Sequence, residues 1–116
     1  MPKKNTRMIR INEEIARVTA DIIRFEMADP RIGTVVSVMG AKTTQDLKFC
    51  KISVSILDGD ADETMKALSN AASFVRKRIA DTLNLRNTPE IIFIQDDSIA
   101  HAIRMNKLID EVNKNE

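Results

Sequence analysis

The chain has 116 residues, 43% of them hydrophobic and 30% charged, with four Phe and neither Trp nor Tyr. That composition excludes wholesale disorder and leaves no room for a second independent domain, so residues 1–116 are read as a single domain with an aliphatic core. The net charge of +1 hides four blocks, +4 over residues 1–57, −4 over 58–65, +4 over 66–89 and −3 over 90–116, which predicts a two-faced molecule.

The first residues, Met1 to Arg7, read as a flexible basic arm. No apolar run of signal-peptide or membrane-span length follows them. Ile11, Ile15, Val18, Ile22 and Phe25 then recur at steps of four and three, which predicts a helix over about 10–28 with those residues on its buried side. Its other side, Arg10, Glu14, Arg17, Asp21 and Arg24, alternates in sign and reads first as a solvated face. Asp29-Pro30-Arg31-Ile32-Gly33 stops the helix, because a residue before proline is biased away from the helical region.

Val35 to Thr43 predicts a strand, and Cys50, Ile52, Val54 and Ile56 alternating with Lys51, Ser53 and Ser55 predict a second, half-buried one. Thr44 to Leu47 reads as the hairpin connection. Beyond Asp58-Gly59-Asp60, Met65, Leu68, Ala72, Val75, Ile79 and Leu83 keep helical spacing over five turns, with Asp60 or Asp62 as cap. Ile91 to Ile94 is a short apolar run of strand length. Ile99, Ile103, Ile109 and Val112 mark a last helix that frays over 112–116. Helices on either side of a small hairpin, with a third strand reached through a long helix, predict a two-layer α+β sandwich with a three-stranded sheet.

Nucleophilic and metal chemistry lack an inventory. The chain has one His and one Cys, no HExxH, CxxC or GxSxG, and three glycines too far apart to cradle a phosphate. Cys50 reads as a small core residue in a reducing compartment, and His101 with Asp97 as a surface pair. Asp58, Asp60, Asp62 and Glu63, like Asp96-Asp97, read as acids at helix starts rather than as a cation site. The expectation is a protein without catalysis or cofactor. Nucleic-acid recognition by stacking on exposed aromatics is also not expected, since most of the four Phe occupy apolar-periodic positions. A KH-type grip on a single strand needs fewer aromatics, although its usual GxxG turn is missing.

In Asn70 to Arg78, small side chains in mid-helix precede the densest run of positive charge, Arg76-Lys77-Arg78. A close approach by a phosphate-bearing partner is one reading, and close helix packing with a solvated basic turn is the other. Arg76 to Arg78 cover almost a full turn, so they cannot all face one groove. Lys3, Lys4, Arg7 and Arg10 form a second basic cluster, either an arm that orders on RNA or a solubilising terminus.

Several short motifs, in order, resemble ribosome-binding factor A. They are Asp29-Pro30-Arg31-Ile32-Gly33, Asp46-Leu47 with Lys51, Asn70-Ala71-Ala72-Ser73-Phe74-Val75-Arg76, Leu85-Arg86 with Pro89-Glu90-Ile91, and Asp96-Asp97-Ser98-Ile99. The resemblance covers about residues 7 to 110 and implies a type II KH-like fold in which an Ala-x-Gly kink between two helices replaces the GxxG loop. It implies a cytoplasmic, monomeric, non-enzymatic factor that binds free or immature 30S subunits and their RNA. Such a factor assists late maturation and 5′-end processing of 16S rRNA and supports growth in the cold, with assembly GTPases as candidate further partners. Carried onto this chain, the kink falls on Ala71, Ala72 and Ser73, followed by Arg76, Lys77 and Arg78, and Arg31 and Arg86 of the matching motifs join the candidate RNA-binding set. Ser73 stands where glycine is usual, and serine is only about 0.5 kcal/mol poorer than alanine in a helix, which predicts a less sharp kink. The long polar tail of some relatives is not expected. The alternative, of a different class, is a protein-interaction module or homodimer using the acidic C-terminal block.

Overall fold

In a computed structural model, which describes residues 6–27, 36–57, 59–85, 87–96 and 106, helix α1 (Thr6–Phe25) is followed by β1 (Val36–Thr43) and β2 (Phe49–Ile56). Helices α2 (Ala61–Asn70) and α3 (Ala72–Leu83) come next, then β3 (Glu90–Gln95). The expected last helix lies outside the described residues, as do Lys3, Lys4, Arg31, Arg86, Asp58, Asp97 and His101. The three strands form one sheet in the order β1-β2-β3, with β1 antiparallel and β3 parallel to β2. A parallel neighbour cannot be reached by a tight turn, so α2 and α3 serve as the crossover.

The alternation read in β2 holds from Phe49 to Val54: Cys50, Ile52 and Val54 are fully buried, and Ile91 and Phe93 of β3 join them on the same face, whereas Ser55, expected on the wet side, is buried and Ile56 only half-buried. Ile15, Val18 and Ile22 of α1, Leu68 of α2, and Val75 and Ile79 of α3 close the core from one side. The buried stripe of α1 runs to Ile22 and Ile23. Phe25, expected on the buried side, is 73% exposed, and Met27 in the turn after the helix packs against the core in its place. The backbone N–H groups of Glu26 and Met27 both donate to the Ile22 carbonyl, at 2.9 and 3.1 Å, and close that last turn. At its other end α1 begins at Thr6, so Arg7 and Arg10 ride on a helix rather than on an arm.

The connection between β1 and β2 is pinned by side chains. The Thr44 hydroxyl donates to Asp46 Oδ1 (2.6 Å) and accepts from the Phe49 N–H (3.1 Å), while the Lys48 N–H donates to the same Asp46 oxygen (3.1 Å). Leu47, at φ 61°, takes the left-handed conformation that closes the loop. The Asn12 side chain then accepts the Thr43 N–H at 3.0 Å and ties α1 to the end of β1.

The hydrogen bond from Thr44, reinforced by that from the Lys48 N–H, holds the Asp46 carboxyl below its ordinary range. A carboxylate with a depressed folded pKa stabilises the fold above its unfolded pKa, and that contribution is lost as pH falls through the folded value. Urea midpoints measured from pH 7 down to pH 2 should therefore converge for the wild type and Asp46→Ala at the acid end, with the wild type more stable at neutral pH. A gap that stays constant with pH would refute the assignment.

Burial pushes the Cys50 thiol above its usual range. Iodoacetamide at pH 8 should leave Cys50 unlabelled in the folded chain and modify it fully in urea. Rapid labelling of the native protein would show that β2 is not the closed centre of the core.

Candidate nucleic-acid interface

Asp60 caps α2, its Oδ1 accepting the Glu63 N–H at 3.2 Å and its carbonyl accepting both the N–H and the hydroxyl of Thr64 at 2.9 Å. After the ten residues Ala61–Asn70 the helix stops at Ala71, whose φ of −89° and ψ of −1° fall in the bridge region. The Ala71 N–H is shared between the carbonyls of Ala67 and Leu68, both at 3.1 Å, while its own carbonyl accepts the Val75 N–H at 2.9 Å and opens the ladder of α3. The expected break is therefore present, one residue wide, and does not need glycine, because an L-residue reaches this dihedral without strain. Ser73 is an ordinary exposed residue in the first turn of α3, which is why serine there does not remove the bend. The apolar stripe nonetheless continues from Leu68 through Ala72 to Val75 and Ile79.

An open groove of about 630 Å³ runs between α2 and β3 and ends at the break. Asp62, Met65, Lys66, Ser69, Asn70 and Gln95 line it. Lys66 is exposed and only loosely paired to Glu63 at 3.7 Å, which leaves its ammonium available in solution. None of the lining residues was in the candidate RNA-binding set, whose part at the break began one residue after Asn70, at Ala71. Met65 could have been found as the one residue of the α2 stripe at its solvent edge, whereas Gln95 depends on the strand order.

The basic triplet is divided by the turn of the helix. The Arg76 guanidinium donates through Nε and Nη2 to the Thr88 carbonyl at 3.2 and 3.0 Å, just before the buried Pro89 that leads into β3. Arg78 Nε lies 2.9 Å from Glu26 Oε1, a partly exposed ion pair between α3 and the end of α1 that is not aligned as a hydrogen bond. Lys77 is exposed and has no partner among the described residues. Arg7 lines a cleft of about 500 Å³ with Ile11, Thr43, Leu47, Leu85, Asn87 and Pro89, the last two flanking the Thr88 that Arg76 contacts. Arg10 is exposed on the same helix as Arg7.

The aromatic reading needs correction. Phe25, Phe49 and Phe74 are 73%, 39% and 43% exposed, and only Phe93 is buried. Phe74 precedes the stripe residue Val75 and so points about 100° away from it, and Phe49 shares β2 with Cys50 but faces the other side. Arg24 lies over the Phe25 ring at 5.3 Å. Among the described residues no three acidic, His or Cys side chains are placed to hold a metal ion, and no helix is long and apolar enough to cross a membrane.

The α-β-β-α-α-β order, the mixed sheet and the break beside a groove define a type II KH-like protein. Residues 7–109 match the family model of ribosome-binding factor A. A ribosome-binding factor A from Lachnospira eligens is 42% identical over 118 aligned positions, covering 100% of this chain and 91% of the relative. The chain belongs to the ribosome-binding factor A family. The crystal structure of ribosome-binding factor A from Thermus thermophilus superposes with a TM-score of 0.69 at 19% identity, covering 76% of this chain and 94% of that one. A Thermus thermophilus homology model fitted into the cryo-EM map of a 30S complex gives 0.63 at 20% identity, over 74% and 91% of the two chains. Both likenesses concern the fold.

With the break at Ala71, Ser73→Gly should lower stability by up to about 0.5 kcal/mol and leave the break in place. Urea unfolding with amide chemical shifts checks both. A gain in stability, or a shift of the break to residue 73, would restore Ser73 as the pivot.

Proposed function

We propose that this chain binds the free or immature small ribosomal subunit and acts there as a non-enzymatic maturation factor in the cytoplasm. It recognises rRNA by backbone contacts and shape at the α2–α3 break and its groove, with little base readout. On this reading it assists late maturation and 5′-end processing of 16S rRNA and supports growth in the cold. The observation that carries the proposal is membership of the family over residues 7–109 combined with a helix break that ends a groove lined by the exposed Lys66, with the exposed Lys77 further along α3. The Thermus thermophilus protein fitted into a 30S complex supports it.

The three cations of α3 separate on this reading. Lys77→Glu should weaken cosedimentation with immature small subunits several-fold and leave the melting temperature unchanged, since Lys77 is exposed and has no bonded partner among the described residues. Arg76→Ala should cost about 1 kcal/mol of stability through the loss of its bonds to Thr88. Sucrose gradients at rising salt, with thermal melts, make the comparison. If the wild type stayed at the top of the gradient at low salt with immature subunits present, the proposal would fail. A salt-insensitive complex with a protein would favour the interaction-module reading instead.

A further inference from the structure

The described helices cover one face of the sheet; on the other, Ser55 is buried at one end, while Lys42, Phe49, Lys51, Ile92 and Ile94 are exposed. By the strand register, Phe49, Lys51 and Ser53 of β2 stand on this second face beside Glu90, Ile92 and Ile94 of β3, and Lys42 of β1 stands opposite Lys51. Phe49, Ile92 and Ile94 are each 39% exposed. Most open faces of small sheets are polar, so two isoleucines and a phenylalanine in registered positions are a departure. The lysines are a second one. Side chains directly opposite on antiparallel strands have Cβ atoms about 4.5–5.5 Å apart, and like charges there disfavour the sheet. Among the described residues neither Lys42 nor Lys51 is bonded to an acid. Glu90 is the one acid in the registered set, and it stands beside Phe49 rather than between the lysines.

We propose that this exposed face is a second RNA surface, on which a single strand crosses β2 with a base stacked on Phe49 and its phosphates at Lys42 and Lys51. An anion placed between the two ammonium groups turns their mutual repulsion into attraction for the ligand, which is the charge complementarity the unliganded sheet lacks. Phe49 and Lys51 are about 6.6 Å apart along the strand, close enough for one nucleotide to reach both. Ile92 and Ile94 supply an apolar floor for the adjoining sugar and base. A sheet presenting aromatic and cationic side chains to splayed bases is an established physical solution for single strands, and it needs no groove. Because the helix break lies on the opposite layer, the protein holds two RNA segments at once. This inference rests on the reading of the chain as an rRNA-binding protein.

Fluorescence anisotropy of the full chain with a labelled mixed-sequence RNA of about twelve nucleotides tests the face, in parallel with subunit cosedimentation. Phe49→Leu and Lys51→Ser should each weaken oligonucleotide binding about tenfold. Lys51→Ser should also reduce the slope of log affinity against log salt by about 0.7, with a melting temperature equal to or above the wild type. Unchanged affinity in both variants overturns the proposal, even if the wild type still sediments with subunits. Self-association of the wild type that Phe49→Leu abolishes also overturns it, because a second copy would then cover the face. Loss of subunit binding by the wild type, with oligonucleotide binding still dependent on Phe49, would instead remove the proposed function and leave the surface standing.

Discussion

The fold depends on β2. It is the only strand with neighbours on both sides, and one of them, β3, runs parallel to it. A parallel neighbour demands a crossover, and the crossover must deliver an apolar stripe to the face that carries Cys50, Ile52 and Val54. Leu68, Val75 and Ile79 supply that stripe from two helices rather than one. Joining them at Ala71 keeps the stripe on the core while changing the direction of the backbone.

That join explains how a family pattern can lose its glycine and keep its geometry. A left-handed kink would require glycine, since other residues lose about 1–2 kcal/mol there. The dihedral at Ala71 is instead right-handed, and its N–H finds partners in two carbonyls, so no buried donor is orphaned. Small side chains are needed for a different reason. Ala67, 1% exposed, packs where the two helices meet, so a larger side chain there would have to displace core neighbours, while Ala71 and Ala72 are half-buried beside it.

Much of the architecture was legible because burial imposes a period. β2 alternates in the sequence since one face is packed and the other wet, and α2–α3 repeats at helical spacing because one stripe meets the sheet. The break was legible only through resemblance, as Ala71 differs from a helical residue by a modest change in ψ. Ile91 to Ile94 illustrates a second limit. The run reads as uniformly apolar, yet Ile91 and Phe93 face the core while Ile92 and Ile94 face outward, and a pattern with apolar residues on both faces does not say which face is covered. Phe25 and Phe74 mark a third, since a residue at the end of a stripe or beside it shares the composition of the core without its environment.

The cations carry the last distinction, because charge alone does not separate structure from recognition. Arg76 and Arg78 are adjacent in sequence to Lys77, but the rotation of the helix directs one to the Thr88 carbonyl and the other to Glu26. Arginine suits both tasks, since its planar fork satisfies a carbonyl or a carboxylate with fixed geometry, whereas the lysine between them is a mobile point charge. The pair links α3 to the end of α1 and to the entry to β3, on the same stretch of helix that carries Lys77. On the proposed function, recognition here would be a property of those contacts as much as of the exposed charge: an ammonium group can meet a phosphate at a defined place only where the helix that carries it is held by neighbours whose own charges are engaged within the fold.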